Sequence, residues 1–192
     1  MVIALVLILG FIIFLAVLIF IYIFNTQRKL VNLDELCKNA MSQISVQLNS
    51  RWDALLALAK MASKYAKHES ETIVGAINAR RQAQVTTAEE ANQAQGELTQ
   101  LMGRLMAIGE AYPELKANDL YVKAMDGVNT YEENVRMSRM VYNDTATKMN
   151  RMVRQWPSSF VASMLHFVEK AYLTVDEEKK SQYPNLDEAF GG

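Results

Sequence analysis

The sequence predicts an all-α protein, with an N-terminal transmembrane helix followed by an antiparallel bundle of three long helices and one short helix. Two observations lead to this fold class. Residues 1–24 form an uncharged apolar run, and beyond it apolar residues recur every three or four positions, which places them on one helix face. The scarcity of helix breakers agrees: 3 prolines and 8 glycines among 192 residues leave long helices few interruptions and would leave a β-sandwich short of turn residues.

The apolar run is long enough to cross a bilayer. At about 1.5 Å per residue it extends about 36 Å, against a hydrocarbon core of about 30 Å. All 20 basic and 21 acidic side chains lie at or beyond Arg28. A cleaved signal peptide would need a basic start, a shorter run and small residues at its end, and this run ends at Phe20 to Phe24. A buried core helix fits less well, since no side chain of the run would face water. We predict an uncleaved single-pass anchor over residues 1–27.

Charge asymmetry predicts the orientation of the anchor. Only the α-amino group precedes the helix, whereas Arg28 and Lys29 follow it. Cations flanking a span tend to remain on the cytoplasmic side. The N-terminus is therefore expected outside and the helical domain in the cytoplasm.

Residues 28–175 are predicted to form the bundle and residues 176–192 a C-terminal tail. No proline or glycine occurs between Phe11 and Ile73, so the first bundle helix is expected to continue directly from the anchor. Arg51 interrupts the apolar row of this helix, and Arg104 interrupts a later one. Both arginines are expected to extend their charged ends to water, with pairing inside the bundle as the alternative.

A second helical run is predicted from about Lys67 to Ile108. Residues 82–94 carry few large apolar groups, which predicts thin packing or a local irregularity there. Pro113 ends the run, because proline lacks a backbone donor and clashes with the preceding turn. Asn118 is the expected N-cap of the third helix.

The third helix has the clearest periodicity, a seam in steps of three and four that favours packing in a left-handed bundle. Its hydroxyl groups need hydrogen-bond partners wherever they are buried. Trp156 ends the seam and Pro157 stops the helix. A fourth helix over residues 160–173 is expected to close the bundle with one apolar side, which consists of Phe160, Met164, Phe167, Val168 and Tyr172. A long intermolecular coiled coil remains the alternative. The seam consists of Tyr121, Ala124, Val128, Tyr131, Val135, Ser138, Tyr142, Thr145, Met149, Met152 and Trp156.

No pattern of catalytic or metal-ligating residues is present. His68 and His166 are the only histidines, and neither has Glu three residues earlier, the spacing used by metal sites in bundles. The cluster around His68 and Glu71 is expected to be a solvated helix start. Cys37 lies on the apolar face of the first helix, where a small buried hydrophobe is expected rather than a nucleophile. There is no glycine-rich phosphate loop. We predict no metal, no cofactor and no enzymatic activity.

The charge pattern excludes one class of partner. The formal net charge is −1, and cations alternate with acidic residues instead of forming a basic stripe. Nucleic acid is therefore not expected to bind. The 11 methionines are expected to supply adjustable core packing, with a recognition groove as the less favoured interpretation.

Several segments together resemble one known family. Residues 65–69 read Tyr-Ala-Lys-His-Glu, residues 105–118 read LMAIGEAYPELKAN, and Trp156 and Pro157 end the third helix. Together with Leu30 to Glu35 and Arg139 to Asn143, they resemble the LemA family of bacterial membrane proteins. One segment departs from the family pattern, since residues 53–58 replace a stretch that usually contains Ile-Pro-Asn.

The resemblance implies an N-terminal anchor and a bundle of long helices, and it supplies no catalytic residues. Relatives are associated with envelope functions, with magnetosome membrane formation and with neighbouring membrane-protease genes. The first hypothesis is thus a non-enzymatic, membrane-anchored scaffold that contacts the lipid bilayer and assembles into a homo-oligomer. The second is an adaptor or regulatory subunit of a membrane protease or envelope-stress system. An enzyme with an unrecognised site is the third.

The candidate interaction segment is the proline corner between the second and third helices. It is a partner-facing or hairpin-fixing segment for a membrane-protein partner, or else an ordinary helix corner with solvated charges. Its residues are Glu110, Tyr112, Pro113, Glu114 and Lys116.

Overall fold

The computed structural model describes residues 2–80 and 85–174, and within them the chain forms six helices and no strand. The all-α prediction is confirmed. The predicted second run is two helices, and a one-turn helix that was not predicted follows it, so the described residues contain two more helices than expected. The helices are α1 Val2–Ala62, α2 Lys67–Arg80, α3 Ala88–Ala111, α4 Pro113–Lys116, α5 Asp119–Arg154 and α6 Ser158–Met164.

Helix α1 runs without a break from Val2 to Ala62, which confirms that the first bundle helix continues from the apolar run. Among the described helices it is the one that is long and apolar enough to cross a membrane, and its most apolar window has no buried residue. Residues 53–58, the segment that departs from the resemblance, are continuous helix.

Two compact units share these helices. The anchor unit consists of Met1–Ala40 and Val141–Ala171. The bundle unit consists of Met41–Met140 and Tyr172–Gly192. The sequence divisions at residues 27 and 175 remain predictions.

The anchor unit has a small apolar core between α1, the second half of α5, and α6. Its buried members are Leu30, Met149, Val161 and Ala162. Side chains that pack against this core at its edge are Ile23, Leu33, Met152, Val153, Leu165 and Phe167. This core joins the part of α1 that follows the apolar run to the end of α5.

Helix α6 ends earlier than predicted, because His166 takes a left-handed backbone conformation with φ of 59°. The N–H of Phe167 donates to the Ala162 carbonyl at 2.9 Å, which is the closing bond of a Schellman C-cap. The expected helix over residues 160–173 is therefore wrong beyond Met164. Its expected apolar side is wrong except at Phe167, which packs against the core of the anchor unit. The other four members are exposed: Phe160, Met164, Val168 and Tyr172.

Residues 167–171 lie as a non-helical strap along α5. The Asn150 side chain makes two hydrogen bonds to the Lys170 backbone. It accepts from the Lys170 N–H at 2.7 Å and donates to the Lys170 carbonyl at 2.9 Å. The Tyr142 hydroxyl donates to the Ala171 carbonyl at 3.1 Å. The Lys170 ammonium also lies 2.6 Å from the Asp34 carboxylate on α1. Burial opposes ionisation of Asp34, but hydrogen bonds from Lys170 and Lys38 outweigh it and lower the Asp34 pKa.

In the bundle unit, α3 and α5 run antiparallel. Asn92 near the start of α3 contacts Arg139 of α5, while Leu105 near the end of α3 contacts Tyr121 at the start of α5. Ion pairing between Arg80 and Glu97 at 2.7 Å joins the end of α2 to α3. The buried core of this unit includes Ile44, Leu48, Leu55, Leu58, Ile73, Ile77, Leu98, Leu105 and Val128.

The break before α3 coincides with a capping box. The Glu90 N–H donates to the Thr87 hydroxyl at 3.2 Å, and the Thr87 N–H donates to the Glu90 carboxylate at 3.1 Å. This reciprocal pair satisfies two donors that a helix start leaves free. Residues 85–87 are non-helical, which confirms the predicted irregularity as far as the structure describes it; residues 82–84 lie outside the described residues.

Candidate interaction surface

The proline corner connects α3 to α5 within the bundle unit. Helix α3 ends at Ala111, Pro113 opens the one-turn helix α4, and Leu115 is buried beneath it. The Asn118 side chain accepts from the N–H of Leu120 at 2.9 Å, so the predicted N-cap of the third helix is confirmed. All five residues of the candidate segment are exposed.

Tyr112 also holds the corner against a second turn. Its ring lies 6.1 Å from the ring of Tyr65, centroid to centroid, with the planes inclined at 48°. Tyr65 belongs to the turn between α1 and α2. Aromatic pairs at this separation and tilt are favourable. The Tyr112 ring therefore has a structural role, whatever its exposed edge contacts.

A groove of about 260 Å³ separates the end of α3 from the start of α5. It brings Glu110 and Lys116 of the candidate segment together, whereas Tyr112, Pro113 and Glu114 do not line it. Its remaining lining residues are Met106, Gly109, Tyr121, Val122, Met125 and Asp126. The lining thus combines apolar side chains with two carboxylates, Glu110 and Asp126, and one ammonium, Lys116.

Tyr121 forms the floor of this groove. Its side chain is buried, and its hydroxyl donates to the Leu105 carbonyl at 3.1 Å. Burial raises the pKa of the Tyr121 phenol, so the hydroxyl keeps its proton and remains a donor. The sequence predicted that buried hydroxyl groups of the seam need hydrogen-bond partners. This is confirmed for Tyr121 and Tyr142.

Tyr121 approaches position 109 so closely that only glycine fits there. Replacement of Gly109 tests this contact. A Cβ at position 109 would lie 2.7 Å from the Tyr121 hydroxyl oxygen and 3.3 Å from the adjoining ring carbon. Gly109→Ala is expected to destabilise the chain by about 1–3 kcal/mol, despite the better helix propensity of alanine, because the ring must move off its carbonyl partner. Thermal unfolding of the full-length protein in detergent measures the change.

Tyr121→Phe is the matched background for that test. Alone it should cost about 1 kcal/mol, the value of one buried hydrogen bond. With the hydroxyl gone, Gly109→Ala should become close to neutral. Equal destabilisation by Gly109→Ala in both backgrounds would contradict the proposed contact.

The middle of the bundle unit contains a polar layer around Arg51. This side chain is 1% exposed, so the expectation that it reaches water is wrong; the alternative of pairing inside the bundle is correct. Its guanidinium donates to the Gln95 side-chain oxygen of α3 and to the Glu132 carboxylate of α5, both at 3.1 Å. Arg104 is exposed, as expected. The layer ties three helices into one register.

A second polar contact lies one heptad further along α5. The Arg139 guanidinium donates to the Asn92 side-chain oxygen at 2.5 Å, and the same oxygen accepts from the Thr174 N–H at 3.1 Å. Asn92 and Gln95 are three residues apart on α3 and therefore share a face. The polar layer thus extends over about two turns of α5, from Glu132 to Arg139.

Sequence reasoning missed this layer, although a signal was present. Arg51, Gln95 and Glu132 each stand in or beside an apolar row of their helix. Periodicity shows that such a residue faces inward, but it does not show which residue on another helix it meets. The three polar residues interrupt apolar rows on three different helices, and they form one site only because the fold brings these helices together.

The side chains that could be reactive or bind a metal are either buried or solvated. Cys37 is buried, and that burial raises the pKa of its thiol, which leaves it in the unreactive protonated form. His68 and Glu71 lie exposed in the first turns of α2, as a solvated helix start requires. Within residues 2–80 and 85–174, no three His, Cys, Asp or Glu side chains group closely enough to hold a metal ion.

Comparison with known proteins adds a family and three relatives. Residues 40–187 match the model of the LemA family. Magnetosome proteins MamQ 1 and MamQ 2 of Paramagnetospirillum magneticum (strain ATCC 700264 / AMB-1) are each 30% identical to the chain over 79 residues. The MamQ protein of Magnetospirillum gryphiswaldense has the same identity over the same length. The matched region covers 41% of this chain and 29% of each relative, so the similarity spans under a third of their length.

Proposed function

This chain belongs to the LemA family, and we propose that it is a non-enzymatic, membrane-anchored scaffold of the bacterial envelope that associates with itself. The observation that carries the proposal is the continuity of α1. One helix provides a long apolar segment at its start and core residues of both compact units further on. The apolar segment that enters lipid and the first helix of the folded domain are therefore one unbroken helix.

The exposed start of α1 supports the membrane as the first partner. Its large apolar side chains from Val2 to Phe24 are exposed, apart from the half-buried Ile23. A contiguous apolar surface of this kind associates nonspecifically in water, whereas lipid chains cover it without cost. Helical geometry also satisfies the backbone hydrogen bonds that lipid cannot.

The end of the apolar segment has the features of a membrane boundary. The Arg28 guanidinium lies over the Phe24 ring, 5.7 Å from its centroid. Such a cation–π contact places a charge at headgroup level while its aromatic partner remains in the apolar region. Arg28 and Lys29 support a cytoplasmic domain and an external N-terminus.

The relatives that match this chain are magnetosome proteins, and the alignment with each covers 79 residues at 30% identity. The scaffold proposal also accords with the buried arginines of the bundle unit, which pair with polar side chains of other helices. We therefore assign the exposed corner, including Glu110 and Lys116, to contacts between subunits.

The test is the mass of the full-length protein extracted from native membranes in polymer-bounded lipid discs. A regular homo-oligomer is expected. A monomer without partners contradicts self-association. Release of the chain from native membranes by an alkaline carbonate wash contradicts the anchor, because a spanning helix withstands that treatment.

The second candidate function is an adaptor for a membrane-protein partner, and the groove beside the corner favours it. Glu110→Ala with Lys116→Ala should reduce recovery of one dominant partner after crosslinking in native membranes, since both side chains line the groove. Lys67→Ala with Glu71→Ala removes an exposed pair of equal charge on α2 and serves as the matched control. Equal recovery with both double variants excludes the corner as the docking site.

A further inference from the structure

The corner between α5 and α6 exposes large aromatic side chains. Trp156 is 85% exposed and Phe160 is 67% exposed, although both were expected in the bundle interior. Helix α5 ends at Arg154, two residues before the seam would place Trp156 against a neighbour. Exposed tryptophan beside exposed phenylalanine is uncommon on a surface that faces only water.

These aromatic residues lie against the membrane-spanning part of α1, within the anchor unit. A groove of about 390 Å³ has one wall formed by α1 and the other by the α5–α6 corner. The first wall consists of Leu18, Ile19, Tyr22 and Ile23, and the second of Trp156, Pro157, Phe160 and Val161. All of these side chains are apolar except for the hydroxyl of Tyr22 and the indole N–H of Trp156.

The position of the α1 wall along the apolar run determines how deep in the membrane the wall formed by the α5–α6 corner lies. Leu18 lies six residues before Phe24, the last residue of the apolar run, which corresponds to about 9 Å along the helix. If α1 spans a bilayer, the groove therefore lies just inside the hydrocarbon boundary on the side of the folded domain. The aromatic residues that form its second wall lie at that same depth.

We propose that the α5–α6 corner is a second membrane contact, in which Trp156 and Phe160 enter the lipid interface beside the anchor helix and acyl chains fill the groove. This inference rests on the proposed membrane anchoring. Tryptophan prefers the boundary between headgroups and acyl chains, where its ring is apolar and its N–H is hydrated. Exposed Arg151 one turn earlier on α5, and Arg28 on α1, supply cations near phosphate groups.

Continuity with the spanning helix identifies lipid as the occupant. Any molecule that fills the groove must also touch Leu18 and Ile19, which lie within the apolar run and are exposed along with the rest of it. In a bilayer the molecules next to those side chains are lipid acyl chains. Two contact points, one spanning and one interfacial, restrict tilting of residues 141–171 relative to the membrane plane.

Depth-dependent fluorescence quenching tests the proposal on the full-length chain. Trp52→Phe leaves Trp156 as the only tryptophan. In phosphatidylcholine and phosphatidylglycerol vesicles, Trp156 should lose about half of its emission to lipids brominated near the headgroup end of the acyl chain, and less to lipids brominated at the chain terminus. Aqueous iodide should quench it weakly.

A second reporter separates this inference from the anchor itself. Phe14→Trp in the Trp52→Phe, Trp156→Phe background reports the middle of α1. Strong bromolipid quenching at position 14 together with iodide quenching at Trp156 overturns the second contact and leaves the anchor intact. Absence of bromolipid quenching at both positions overturns the anchor as well.

The remaining outcomes are also decisive. Shielding of Trp156 from both quenchers indicates that another protein surface, such as a second copy of the chain, covers it, and this overturns the lipid assignment. Phe160→Trp in a background without other tryptophans should repeat the quenching pattern of Trp156. If Trp52→Phe reduces helicity by circular dichroism, the wild-type chain replaces it, because Trp52 is buried and adds a constant unquenched signal.

Discussion

Glu132→Met is expected to lower the free energy of unfolding by about 3 kcal/mol, because it removes the carboxylate partner of a buried guanidinium. Arg51 stays in the interior of the bundle unit, with the Gln95 side-chain oxygen as its neutral partner. The Glu132 side chain is 31% exposed, so part of its interaction with Arg51 is screened by water. This places the expected loss at the lower end of values for broken buried pairs.

A double-mutant cycle isolates the interaction. Arg51→Met alone should cost less than Glu132→Met, since the half-exposed carboxylate can turn to water once the arginine is absent. The double variant should recover part of the loss of Glu132→Met, because the buried guanidinium that lost a carboxylate is then absent as well. In a Trp156→Phe background, Trp52 fluorescence during denaturant unfolding in detergent reports the same unit.

The matched control is Glu133→Met, one residue further on α5 and exposed. Glu133 pairs with Arg136 of the same helix at the surface, so its loss should cost well under 1 kcal/mol. Equal effects of the Glu132 and Glu133 substitutions would show that the polar layer does not hold the three helices.

Leu30→Ala is expected to destabilise the anchor unit by about 2–5 kcal/mol. Leu30 is fully buried in a core whose other buried members are Met149, Val161 and Ala162. So small a core has few other side chains that can collapse into the resulting cavity. Amide hydrogen exchange of the full-length protein in detergent should show faster exchange in α6 and in residues 167–171.

Leu36→Ala on the same helix is the control for Leu30→Ala. Its side chain is 45% exposed, so less than 1 kcal/mol of destabilisation is expected. If Leu30→Ala leaves exchange in α6 unchanged, the packing of α1 against α5 and α6 in the anchor unit does not hold that helix.

Local signals predicted most of the helices correctly. Asn118 caps α5 because its side chain bonds to backbone two and three residues away, an interaction that neighbouring residues alone determine. The unbroken α1 follows from the absence of breakers over residues 11–73. The Thr87 and Glu90 capping box is also a local pattern, Thr-x-x-Glu, which indicates a helix start where prolines and glycines give no signal.

Other features depended on which helices meet. The heptad seam of α5 correctly predicted burial of Tyr121, Val128, Val135 and Met149, yet it placed Trp156 inside as well. Periodicity assumes that the helix continues and that a neighbour is present opposite each position. At Trp156 the helix has ended, and the surface opposite is the anchor.

The candidate segment was only partly predictable. Its exposure followed from the proline corner, but the division of its residues between a groove and an aromatic contact did not. Glu110 and Lys116 line the groove because Gly109 and Tyr121 let α3 and α5 approach each other closely there. Tyr112 contacts Tyr65, 47 positions earlier in the chain.

The sequence by itself determined the helical class, the apolar run of α1, the cap at Asn118 and the burial of Cys37, because each depends on residue type and on neighbours within a few turns. Only the tertiary structure decided the pairing of Arg51 with Gln95 and Glu132, the early end of α6 and the exposure of Trp156 beside the anchor. The physical reason is that contacts between distant segments depend on how helices pack, and the hydrophobic period of one helix carries no information about the residue it will face on another.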